Sequence, residues 1–194
     1  MVRNSFAKGP EGWCSYDYHA SMVAGGQNIF ILATWSAAGG VDGVDDGGYI
    51  WADHSRWSAD TPEKPLSILP LIFYPSWINQ DPVELHQAEV SVYLRGDDLR
   101  LDGARCLFWA HVGGTRWHYS SQPLEISQGQ WAARPNRFTL ENDASRWHMS
   151  WSRTPTNPAP LAAVLQGAHS YGFSFVGFSG EVTGRFCMAE FEIH

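Results

Sequence analysis

The chain is expected to be all-β: a single-domain β-sandwich (jelly roll) with long N-terminal loops and very little helix. Three observations lead there. Short apolar or alternating runs recur along the whole chain, separated by Gly, Pro, Asp and Asn, which is the spacing of strands and turns in a sandwich. Val112-Gly113-Gly114-Thr115 is a two-residue hairpin signal, because paired glycines supply the positive φ angles such a turn needs. Helical periodicity is confined to 160–166, where Pro160 opens a turn and Leu161, Val164 and Leu165 form a one-sided apolar stripe.

In chain order, residues 1–27 read as an irregular N-terminal segment, and strands are placed at 28–35, 48–52, 67–74, 89–94, 104–112, 116–120, 137–140, 172–178 and 185–193. Between the first two lies 37–48, a Gly/Asp loop expected to be exposed and flexible. Its Asp42, Asp45 and Asp46 do not follow EF-hand ligand spacing, so solvated loop charge is the better reading. In 89–94, Val90, Val92 and Leu94 face the core and leave Ser91, Tyr93 and Arg95 on the other side. Counting outward from the Gly-Gly turn pairs His111 with Arg116, Trp109 with His118, and Leu107 with Ser120 on one face. Ala110–Trp117 and Phe108–Tyr119 pair on the other, which reads as core and continues to Cys106. The segment 145–160 is irregular, since Pro155, Pro158 and Pro160 exclude a central strand. In the last strand Cys187, Ala189, Phe191 and Ile193 point one way, and Phe186, Met188, Glu190 and Glu192 the other. Two carboxylates so close repel unless a cation or an arginine lies between them, or the edge faces solvent.

A length of 194 residues suffices for one well-buried core, and no repeat or linker divides it, so 1–194 is taken as one domain. The net charge of −7 and the lack of a Lys/Arg cluster argue against nucleic acid. No apolar run approaches the roughly 18–20 residues of a membrane span. Residues 1–13 lack the apolar centre of a signal peptide. The protein is therefore expected to be cytoplasmic, or secreted if a leader has been removed. The three cysteines are widely spaced without a Cys-x-x-Cys, and read as free thiols, Cys106 and Cys187 on the apolar side of their strands. The 10 tryptophans exceed what a core demands, since each indole N–H wants a partner, so some are expected at a surface that uses them.

If 89–94 shares a sheet with the hairpin, Tyr93, Arg95, Arg105, Trp109, His111, Arg116 and His118 form one surface. Sugars offer apolar C–H faces to rings and hydroxyls to charged groups, so Trp109 with Tyr93 would stack while Arg and His hydrogen-bond. The arginines favour an acidic sugar held in a bidentate fork; the bland alternative is a solvated outer face. A second candidate binding loop is 51–61, with Trp51, Asp53, His54, Arg56, Trp57 and Asp60, and its alternative is a loop anchored by tryptophan. Asp17-Tyr18-His19 and Arg146-Trp147-His148 add further histidines, but no His-x-His or His-Glu-x-x-His pattern occurs. For catalysis, His118 or Tyr93 as base with Arg116 or Arg95 neutralising a uronate is a chemically sensible set. A glycosidase would draw its carboxylates from Asp53, Glu63, Glu190 and Glu192.

From Ala88–Gly96 through Phe108-Trp109, Gly129-Gln130-Trp131, the 161–165 helical turn and Tyr171–Phe175 to the closing Glu-Phe-Glu-Ile, the chain resembles the galactose-binding-domain-like jelly rolls. These include carbohydrate-binding module families and the complex I intermediate-associated protein domain. That resemblance implies a glycan held on one sandwich face or at its loop end, and a structural calcium ion near Glu190 or Glu192 as the one expected cofactor, if any. The leading expectation is thus a carbohydrate-binding sandwich whose partner is a glycan or small polar ligand, with no nucleic acid and no membrane. A small jelly-roll lyase or glycoside hydrolase is the alternative, and an assembly or scaffold protein the third; oligomeric state is left open.

Overall fold

A computed structural model describes residues 1–16, 30–41, 47–59 and 66–194. The expectations for Asp17, Tyr18, His19, Asp42, Asp45, Asp46, Asp60 and Glu63 lie outside the described residues. The chain is an all-β sandwich with, among the described residues, one short α-helix, α1 (Leu161–Gln166), and a few single 3-10 turns.

Its strands are β1 (Val2–Asn4), β2 (Trp13–Tyr16), β3 (Phe30–Leu32), β4 (Thr34–Ser36), β5 (Tyr49–Asp53), β6 (Ser58–Ala59), β7 (Ser67–Leu69) and β8 (Ile72–Phe73). They continue with β9 (Glu89–Arg100), β10 (Arg105–Val112), β11 (Thr115–Leu124), β12 (Ser127–Gln128), β13 (Asn136–Thr139), β14 (Trp147–Ser152), β15 (Ser170–Val176) and β16 (Thr183–Ile193). Sheet A runs β12-β9-β16-β5-β4, with β13 also on β9 and β1 on β16. Sheet B runs β14-β11-β10-β15-β8-β2-β3, with β7 joining β15 and β6.

The two inner faces form one core. Val90, Val92, Leu94, Phe186, Met188, Phe191 and Ile50 come from sheet A, and Phe108, Ala110, Tyr119, Tyr171, Phe173 and Phe175 from sheet B. Trp13 is sealed at its centre, with the rings of Phe73, Tyr171, Phe173 and Phe191 at 5.0–5.9 Å and its indole N–H donating to Asn4 Oδ1 at 3.1 Å. Burying such a ring contributes on the order of 2–3 kcal/mol. Of the segment 1–27 expected to be irregular, 1–16 carries two short strands, β1 in sheet A and β2 in sheet B, which Trp13 pins to the core, and 17–27 lie outside the described residues. These strands are too short to show alternation. Helix α1 lies where it was expected and buries Leu161, Val164 and Leu165.

The hairpin forms as read. Gly113 and Gly114 take φ of 56° and 77°, and His111–Arg116, Trp109–His118, Ala110–Trp117 and Phe108–Tyr119 pair across it. Beyond Phe108 the register shifts, setting Cys106 opposite Leu124, so the expected Leu107–Ser120 pair is not made. The runs 28–35 and 67–74 are each interrupted. The first breaks at Ala33, sending β3 to sheet B and β4 to sheet A; the second breaks at Pro70-Leu71. Strand β14 occupies the segment expected to be irregular, ending at Ser152 before the prolines begin. In β16 a bulge at Glu190, with φ of 46°, shifts the register between Ala189 and Glu192. The expected alternation therefore reverses: Phe186 and Met188 join Phe191 and Ile193 in the core, while Cys187 turns to the outer side. All three cysteines are buried free thiols.

Candidate functional site

The decisive correction concerns sheet membership. Strand β9 belongs to sheet A, and β10 with β11 to sheet B. Tyr93 and Arg95 therefore lie on the opposite outer face of the sandwich from Arg105, Trp109, His111, Arg116 and His118. The single platform does not exist, because both edges of β9 are already occupied, by β16 on one side and by β12 and β13 on the other. The catalytic set His118, Tyr93 and Arg116 is split in the same way.

On the outer face of sheet A, register aligns Trp51, Cys187 and Arg95 in one row, and Asp53, Arg185 and Asp97 in the next. Arg95 is buried and forked onto Asp97, Nε to Oδ1 at 2.9 Å and Nη2 to Oδ2 at 3.1 Å. Its guanidinium carbon lies 4.7 Å from the Tyr49 ring and 4.4 Å from the Trp131 ring. Arg95 Nη1 and the Trp131 indole N–H both donate to Gly39 O, at 3.3 and 2.8 Å. One cation thus ties a loop residue, two rings and a carboxylate together. Burial alone would depress the Arg95 pKa, but its bonds to Asp97 hold it above the usual arginine value. Cys187 Sγ donates to Asp97 Oδ2 at 3.5 Å, and burial pushes its thiol up to about 12. Beside this clamp is a hollow of about 540 Å³ lined by Tyr93, Trp131, Gln130 and the backbone of Gly39 and Gly40. Gly40 is obligatory there, since a Cβ would meet Gly47 O at 2.4 Å.

Residues 51–59 of the second candidate loop perform structural work at the rim of this face. Asp53 caps the 3-10 turn His54–Arg56 by accepting from Ser55 N at 3.0 Å. Burial opposes ionisation of that carboxyl, yet the Ser55 hydrogen bonds and nearby Arg56 and His54 hold its pKa below normal. His54 Nδ1 accepts from Gly184 N at 3.2 Å. Trp57 packs edge-on to Phe175 at 5.3 Å and donates to Ala52 O. Trp51 carries the Arg185 guanidinium 3.9 Å above its ring. Asp53, His54 and Arg185, with Asp97 and Asp98, edge a shallower hollow of about 340 Å³.

On the outer face of sheet B the indole expected to stack on a sugar is covered. Trp109 is 2% exposed and packs with Cys14, Leu69 and Ile72 in a small second core. Gly172 stands opposite it on β15, where a side chain would clash with Leu71 O, and the indole donates to Phe173 O at 2.9 Å. Arg116 sits 5.6 Å from that ring and donates to Ser150 Oγ at 3.2 Å. His111 Nδ1 is 3.2 Å from Ser170 Oγ, and burial lowers its pKa to about 4, with Arg116, His169 and Arg153 adding repulsion. His118 is 1% exposed and its Nε2 is 2.9 Å from Ser174 Oγ. Burial first, then Arg116 and His148, lowers its pKa to about 3. Arg105 is exposed at the start of β10.

The positive group between Glu190 and Glu192 is Arg3 of β1, at 3.8 and 3.2 Å. Among the described residues no group of three His, Cys, Asp or Glu is placed to hold a metal, and no helix is long and apolar enough to cross a membrane. Reasoning from sequence missed Trp131, Tyr49 and Arg185 as site residues, and named His148 only as a further histidine. The Gly129-Gln130-Trp131 landmark was the available signal for the first. Comparison of the chain with protein-family models and with curated proteins finds no match.

Proposed function

We propose that the chain is a carbohydrate-binding β-sandwich whose ligand seats on the outer face of sheet A. The observation that carries this reading is the pairing of Tyr93 and Trp131 along a hollow of about 540 Å³. Trp131 is held in place before any ligand arrives by its bond to Gly39 O and by Arg95. A ring fixed in advance loses little entropy on binding, and ring faces are what the C–H side of a pyranose requires. The Gln130 amide both donates and accepts, as sugar hydroxyls do. Arg185, 3.9 Å above Trp51 further along the same face, favours a glycan that bears acidic residues.

The enzymatic alternative draws on His118, but an imidazole with a pKa near 3 is a feeble base at neutral pH, which favours binding over catalysis. A polysaccharide and glycan panel read for both tryptophan fluorescence and new products tests the reading. At least one glycan is expected to shift the emission without being consumed. Trp131→Ala and Tyr93→Ala are each expected to weaken that binding at least tenfold. Binding that survives both substitutions overturns this placement, and product formation overturns the binder.

A further inference from the structure

The opposite face holds a second concavity, independent of the first. It has a volume of about 310 Å³ and lies beside the covered tryptophan, between β14, β11, β10 and β15. His118 and His148 face each other across the β11–β14 ladder and, with Arg105, Ser120 and Ser150, supply its polar lining; Leu66, Leu107 and Val176 supply apolar wall. No carboxylate lines it among the described residues. We propose that this cavity binds a small organic carboxylate, its charged end toward Arg105 and His148 and its apolar body against Leu107 and Val176.

Three features support that chemistry. The first is charge: the Arg105 guanidinium, with no acidic lining residue among the described residues, gives the hollow the sign to attract an anion. A guanidinium also matches a carboxylate in geometry, offering parallel N–H groups to its two oxygens. Arg105 stands exposed and makes no ion pair among the described residues, so a ligand need not displace a protein carboxylate to reach it.

The second feature is the preparation of His118. Ser174 Oγ engages Nε2 at 2.9 Å and also lies 3.4 Å from Leu107 O. Nδ1 is therefore the ring nitrogen left for a ligand. Burial lowers the pKa of this ring to about 3, so the imidazole is neutral near pH 7. A ring in that state offers Nδ1 as N–H donor or as acceptor, according to which way the Ser174 proton points. It can serve a carboxylate oxygen or a neighbouring hydroxyl without adding a buried charge.

The third feature is size and wall. A volume of about 310 Å³ is near the small end of the roughly 300–1,000 Å³ common for ligand pockets. It suits a single ring or short chain better than an oligosaccharide. The leucine and valine side chains give such a body an apolar seat, whereas a bare inorganic anion gains nothing from them.

Calorimetric titration of the full chain at pH 7 tests this with four probes: phenylacetate, phenylacetamide, acetate and inorganic phosphate. Phenylacetate is expected to bind at least tenfold more tightly than its neutral amide, and also more tightly than acetate or phosphate. Arg105→Ala changes an exposed side chain and is expected to weaken phenylacetate at least tenfold. His148→Ala, likewise exposed, is expected to weaken it several-fold. Trp131→Ala, on the far face, is expected to leave it unchanged. Equal binding of acid and amide overturns the proposal, as does a phenylacetate affinity indifferent to Arg105→Ala or no heat with any probe at millimolar concentration. Phosphate binding as tightly as phenylacetate overturns the apolar seat. Because Trp131→Ala serves here only as a control, these outcomes are independent of the glycan test.

Discussion

The two outer faces of this sandwich meet the same difficulty, ionisable side chains drawn away from water, and resolve it in opposite ways. Sheet A buries an arginine, which cannot give up its proton, so the surroundings must supply a counter-charge. Asp97 forks onto Arg95, and two rings flank it. Sheet B also buries an arginine, Arg116, but sets beside it histidines, which can give up their protons and are kept neutral. His118 and His111 both lie far below the ordinary imidazole pKa, next to serines rather than carboxylates. The first face thus matches its fixed charge with a carboxylate and fixed rings, and the second sets neutral imidazoles beside its arginine. Each is better suited to a different ligand.

This difference is most sharply exposed by acid. A histidine whose folded pKa is depressed leaves stability untouched above its unfolded pKa of about 6.5. Below that, the unfolded chain takes up protons that the folded chain refuses, so stability falls with falling pH until the folded pKa is reached. With folded values near 3 and 4, the two rings together are expected to remove on the order of 5 kcal/mol between pH 6.5 and 4. Thermal unfolding followed across that window should show a steep decline. His118→Gln, which keeps a polar group near Ser174 but cannot titrate, should roughly halve it, His111 supplying the rest. A melting temperature that stays level from pH 7 to 4.5 breaks the contrast between the faces.

The second expected effect concerns Trp109. As part of a small core rather than a ligand platform, Trp109→Ala should destabilise by about 3–4 kcal/mol, the range for truncating a buried aromatic. It should leave glycan binding on sheet A unaltered. Chemical denaturation gives the first number and fluorescence titration the second. A variant of near wild-type stability would return the indole to the surface and reopen the original reading of this face.

How far these features were legible in the sequence follows from the range of the interactions that set them. The Gly113-Gly114 hairpin and its register are local, and so is α1, and both could be read directly. The partner sheet of β9 depends on β16, β12 and β13, all far along the chain, so nothing within 89–94 could exclude β10 as a neighbour. The burial of Trp109 depends on Cys14, Leu69 and Ile72, which strands distant in sequence bring over it. The reversal in β16 follows a single bulge residue, Glu190, in the stretch where β1 docks and Arg3 meets the acids. Of the residues expected to bind ligand, Tyr93 and Arg95 do share one face, because strand alternation placed them on the outer side of β9, and Trp51, read as part of a loop, joins them through the β5 register. Which strands lie side by side is a property of the whole sandwich.

The smallest effect is expected from a substitution that keeps the charge. Arg95→Lys preserves a cation beside Asp97 but loses the second arm of the fork, the planar contact with Tyr49 and Trp131, and the bond to Gly39 O. Cation–ring contacts are worth about 0.5–1 kcal/mol when exposed and about 2 kcal/mol when desolvated, as around the buried Arg95, so a loss of about 2 kcal/mol is expected. The more telling readout is Trp131, whose indole would lose the guanidinium beside its ring while its N–H bond to Gly39 remains available. If the arginine is what readies this face for a sugar, Arg95→Lys should weaken glycan binding more than its modest effect on stability suggests. If binding follows stability alone, the clamp merely holds a loop, and recognition must rest on Tyr93 and Gln130.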